Sequence, residues 1–121
     1  MEQNLFQNTL TLIENAFPDR KNTLLLMMVC KPDQDQIRLC AKLDEGYTDC
    51  LLLPVYENRK VAEILAEVKR ELTRILSDQA SIDQWDAVAI WISPDGQMQV
   101  SFDDDDILEH WDRPELLSMG M

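Results

Sequence analysis

Residues 24–30 read Leu-Leu-Leu-Met-Met-Val-Cys, seven apolar side chains in succession. The run has neither the 3.6-residue period of an amphipathic helix nor the alternation of a half-wet strand. It also falls far short of the roughly 20 apolar residues that a membrane-spanning helix needs. What remains is a strand apolar on both faces, and such a strand belongs at the centre of a sheet.

The flanking segments supply the rest of that sheet. Residues 36–44 alternate, with Ile37, Leu39, Ala41 and Leu43 on one side and Arg38, Cys40, Lys42 and Asp44 on the other. That is the pattern of a strand with one apolar face. The polar stretch Lys31-Pro32-Asp33-Gln34-Asp35 before it reads as a turn. After the Glu45-Gly46 turn, residues 48–55 give a third strand. Residues 85–92 and 97–103 form a hairpin around Ser93-Pro94-Asp95-Gly96. Pro at the second turn position and Gly at the fourth fit a type I turn followed by a Gly bulge. A three-residue loop pairs Ser93 with Gln97, and the register follows. Ile92 faces Met98, Ile90 faces Val100 and Val88 faces Phe102 on a core side. Trp91 faces Gln99, Ala89 faces Ser101 and Ala87 faces Asp103 on a small, polar side that carries one large aromatic.

Two helices complete the pattern. Residues 2–17 place apolar side chains at helical spacing and stop at Pro18. Val61, Ile64, Leu65, Val68, Leu72, Ile75 and Leu76 share one stripe, which predicts a helix from an Asn58 N-cap to Ser77. A further short helix fits near 105–111. The expected architecture is α+β: one domain over residues 1–121, an antiparallel sheet in the order α-β-β-β-α-β-β, helices packed on one face, and the acidic segment 103–121 part of the domain. A chain of 121 residues is long enough to bury about two-thirds of its unfolded surface.

Charge narrows the function. Lys and Arg number 11 against 23 Asp and Glu, a formal net charge of −12. Nucleic-acid binding needs cations to displace phosphate counterions, and anionic membranes repel such a chain. The excess is local. Residues 1–77 hold 12 acids and 10 bases, while residues 78–121 hold 11 acids and one base, Arg113. Its densest part is Asp103-Asp104-Asp105-Asp106, with Glu109 and Asp112 following. On a strand end, Asp103 and Asp105 point one way and Asp104 and Asp106 the other. Such charges repel one another unless a cationic surface approaches. The D-x-[DN]-x-[DN]-G order of a calcium loop is absent. A solvated strand end is the plain alternative, but the asymmetry favours docking onto a basic protein. Trp91 and Trp111 are the aromatic anchors for such a surface. The alternative for each is packing beneath a helix or the C-terminal segment. Trp91's small, polar face argues for exposure, whereas Trp85, opening its strand, reads as core or edge packing.

Chemistry finds no foothold. Cys30, Cys40 and Cys50 are odd in number, with no CxxC pair and a single distant histidine, so they read as free thiols rather than a zinc site. His110 has Glu109 and Asp112 nearby but no nucleophile in a motif, and reads as a surface histidine. Three glycines leave no phosphate-cradling loop. No catalytic residue, metal or cofactor is expected. The opening Met1-Glu2-Gln3-Asn4 has neither the basic nor the apolar region of a signal peptide, so a cytoplasmic location is expected.

The segment Trp85-Asp86-Ala87-Val88-Ala89-Ile90-Trp91-Ile92, then Asp95-Gly96-Gln97, then Val100-Ser101-Phe102-Asp103-Asp104-Asp105-Asp106, resembles the YezG-like immunity proteins of bacterial toxin systems. Shared features are a Trp that opens a strand, a DG turn and a second strand ending in a Phe-Asp acidic run. The upstream order also agrees: a helix ending in Phe-Pro, three strands, then a long amphipathic helix. Family members tend to finish with Arg followed by Trp, whereas Arg113 here is followed by Pro114-Glu115-Leu116-Leu117. The resemblance implies a cytoplasmic protein that neutralises one cognate toxin, in many cases a nuclease, by occupying its basic active-site region. The partner-binding set is then Trp91, Asp103, Asp104, Asp105, Asp106, Glu109, Trp111 and Asp112. The size, acidity and element order are also similar to class I type III secretion chaperones. That resemblance implies instead a dimer that binds an extended effector segment.

Overall fold

A computed structural model of the chain describes residues 6–18, 21–31, 34–43, 46–53, 57–78, 87–102, 104–114 and 117. The elements are α1 (Gln7–Ala16), β1 (Leu24–Lys31), β2 (Gln34–Leu43), β3 (Gly46–Asp49), α2 (Asn58–Asp78), β4 (Ala87–Ile92), β5 (Met98–Ser101) and α3 (Asp104–Glu109). The strands make one antiparallel sheet in the order β3-β2-β1-β4-β5. β1, the run apolar on both faces, is the central strand. It pairs with β2 from Leu24↔Ala41 to Lys31↔Gln34, and with β4 from Leu24↔Ile92 to Val29↔Ala87.

Alternation divides the sheet into two faces. Leu24, Leu26 and Met28 of β1 join Leu39, Ala41, Val88, Ile90 and Ile92 against α1 and α2. Those helices contribute Leu10, Ile13, Val61, Leu65, Val68 and Leu72. Fully burying one such side chain contributes about 1.5–3 kcal/mol, so this layer carries most of the core. The opposite face of β1 presents Leu25, Met27 and Val29, which pack with Cys40, Ala87, Ala89 and Trp91 beneath Ile107 and Leu117. The expectation of helices on one face therefore holds for α1 and α2 but not for α3, which covers the other. A central strand apolar on both sides leaves an apolar face exposed unless a second layer covers it.

The β4–β5 register is the one deduced: Ile92↔Met98, Trp91↔Gln99, Ile90↔Val100 and Ala89↔Ser101. The turn closes with Ser93 N–H to Gln97 O at 2.9 Å and Gly96 N–H to Ser93 O at 3.0 Å. Gly96 takes φ +89°, the left-handed conformation that the bulge needs. Val88 and Phe102 lie on the α1/α2 side as expected, although β5 ends one residue before Phe102. The Phe102 ring sits 5.9 Å from that of Phe6. Trp85, Asp86 and Asp103 lie outside the described residues.

Several boundaries differ from the sequence expectation, the first being the 31–35 turn: β1 runs to Lys31 and β2 starts at Gln34, with Lys31↔Gln34 and Cys30↔Asp35 paired. The third strand ends at Asp49, and Cys50–Leu52 form a 3₁₀ turn rather than continuing the strand to residue 55. The Asp49 carboxylate accepts the Leu51 N–H at 2.9 Å, a local bond that competes with strand pairing. At α2, the first helical bond runs from Val61 N–H to Glu57 O, so the cap falls one residue before Asn58. From Asp104 on the acidic run is helix, not strand end. Carboxylates are favourable at a helix N-terminus, where unpaired backbone N–H groups carry partial positive charge. That removes the strand alternation assigned to Asp104, Asp105 and Asp106.

Candidate functional site

The candidate surface is built on α3 and the turn after it. Ile107 is buried and Leu108 and Trp111 partly buried against the second sheet face. Packing on that side turns Asp105, Glu109 and Asp112 outward, and all three are exposed. Asp105 and Glu109 are i and i+4 on one helix face. Asp106 is different. Its carboxylate lies 3.0 Å from His110 Nδ1, with side-chain exposures of 17% and 23%, so it is partly withdrawn from solvent. His110 caps this short helix locally: its N–H donates to Asp106 O at 3.1 Å. Asp104 lies in the first turn of α3, and Asp103 is outside the described residues.

The two tryptophans part company. Trp111 is half-buried at the edge of the acidic surface. Trp91 is 3% exposed, so its expected role as a surface anchor is corrected. The cause is the second layer. Its face looks small and polar from the hairpin alone, but Leu25, Met27 and Val29 of β1 adjoin it and Ile107 and Leu117 close over it. Burial pushes the pKa of Tyr47, packed against the same cluster, up.

Arg38 is the residue that sequence reasoning passed over. Alternation along β2 puts it on the second face, opposite Met27. Its Nη1 donates to the Trp111 carbonyl at 2.6 Å. Its Nε stands 3.8 Å from the Asp49 carboxylate and makes no hydrogen bond among the described residues. The guanidinium also lies against the Cys40 thiol, partly offsetting the burial that pushes Cys40 up to about 11. Burial likewise pushes Cys50 up to about 12, with the charges of Cys40 and Asp49 adding to it. Both are free and buried, and both stay protonated near neutrality, when neither is a nucleophile. The signal for Arg38 was the two-sided apolar run. If both faces of β1 are covered, a mid-strand Arg on the neighbouring strand is covered too.

Among the described residues no group of three His, Cys, Asp or Glu side chains is placed to hold a metal ion. No helix among them is long and apolar enough to cross a membrane. No protein-family model matches the chain, and no curated protein matches it.

Proposed function

We propose that this chain is an immunity protein: it binds a basic protein toxin, a nuclease by preference, and neutralises it by occlusion rather than chemistry. The observation that carries this reading is the outward set Asp105, Glu109 and Asp112 in a segment of 11 acids and one base. A nuclease cleft is cationic because it holds phosphate. An acidic surface competes for that cleft, and opposite charge accelerates the encounter. Trp111, half-buried beside these acids, supplies the aromatic contact that Trp91 does not.

The chaperone reading keeps one observation in its favour. Leu43, Leu51 and Leu52 are exposed, Leu52 at 75%, and a dimer needs apolar surface of that kind. Co-purification with the product of the neighbouring gene separates the two. The immunity reading expects a one-to-one complex with a folded basic domain and protection of cells that express it. A dimer wrapped by an extended effector segment, with no protection, would establish the chaperone reading instead.

A further inference from the structure

The two layers that sandwich the sheet are unequal. One face is covered by helices of 10 and 21 residues, the other by six-residue α3 and the turn that follows it. A helix that short has no stability of its own and persists only through its contacts. Those contacts are Ile107, fully buried, and Leu108 and Trp111, only partly so; in the turn that follows, Pro114 and Leu117 are buried as well. The polar fastening is Arg38, whose Nη1 reaches the Trp111 carbonyl at 2.6 Å. With Asp49 too far from Nε for a hydrogen bond, the guanidinium's short bond goes to the cover rather than to its own sheet.

We infer that residues 104–114 form a strap that Arg38 latches onto the sheet, and that the strap releases as a unit while the other layer stays folded. Release lifts Ile107 off Trp91 and the Leu25, Met27 and Ala89 side chains beside it, and returns the Arg38 guanidinium to water. This local opening is independent of any partner. It belongs to the low-stability end of the fold, where marginal contacts and few buried side chains place an element. The latch is electrostatic and directional, since a charge-assisted bond at that length is among the stronger ones in a protein.

Hydrogen exchange on the full chain tests this. The His110 and Arg113 amides, bonded to Asp106 O and His110 O, report on the strap, and β1 amides report on the sheet. In the unaltered protein the strap amides are expected to exchange through an opening that leaves β1 protected. Arg38→Met, which keeps the aliphatic stem and removes the donor, is expected to speed strap exchange roughly ten- to a hundredfold with β1 unchanged, the range a charged hydrogen bond supplies. Strap and β1 amides that exchange at one common rate in the unaltered protein would overturn the inference, whether or not the variant folds. So would an Arg38→Met protein whose strap exchange is unchanged, or whose strap and β1 accelerate together.

Discussion

Trp91 lies with Ala87 and Ala89 beneath Ile107 and Leu117, and Tyr47 packs against the same cluster. Its truncation is therefore a question of stability. Trp91→Ala is expected to lower the unfolding free energy by about 3–5 kcal/mol, the cost of emptying a large buried aromatic site. A urea titration reads it, and an unchanged midpoint would place the ring on the surface. Thr9 makes the opposite point. It is fully buried on the inner side of α1, and its hydroxyl has no partner among the described residues. Thr9→Val keeps the shape and removes an unsatisfied polar group, so stability should hold or rise by up to about 1 kcal/mol. The thiols set a pH dependence. Cys40 and Cys50 hold their protons to about 11 and about 12 when folded, against 9.0 ordinarily. The unfolded chain releases those protons first. Their contribution is thus fully present below pH 9.0 and is lost as pH rises through the folded values. Denaturation midpoints that fall across that window in the native protein, but not in a Cys40→Ala/Cys50→Ala variant, would show it.

At the scale of elements, the hairpin was legible because turn chemistry and side-chain alternation point to one register. Pro94 and Gly96 fix the loop, and a one-residue slip would expose Met98 and Val100. Gly96→Ala tests that account. At φ +89° an added Cβ is strained, and it would meet the Glu14 carboxylate at 2.9 Å. The carboxylate end can swing aside, so the backbone sets the cost, about 1–2 kcal/mol. A circular-dichroism melt should show a lower midpoint with the same folded spectrum. Other boundaries were not legible because a local bond decides them. One Asp49 side chain turns an apolar Cys50-Leu51-Leu52 run from strand into a 3₁₀ turn. In α3 and the turn after it, only Ile107, Leu108 and Trp111 among many acids signal one apolar side.

The whole molecule follows from β1. A strand apolar on both faces was readable as central, and it is. Its further demand, a cover on each face, accounts for what pattern reading left out: the burial of Trp91, the covering of Arg38 and the placement of α3 opposite α1 and α2. Charge asymmetry located the candidate surface in the last third of the chain. It did not distinguish Asp105, Glu109 and Asp112, which face solvent, from Asp106, which faces His110. That distinction needs the helix phase, and the phase is set by packing. The central claim is that these outward acids engage a basic protein. It is tested most directly by the salt dependence of association with the neighbouring gene's product, for the native chain and the Asp105→Asn/Glu109→Gln/Asp112→Asn variant. Screening shortens from about 10 Å at 0.1 M salt to about 3 Å at 1 M. The native association rate should fall steeply over that range, while the variant's starts lower and changes little. Equal rates and equal salt slopes for the two proteins would contradict the account.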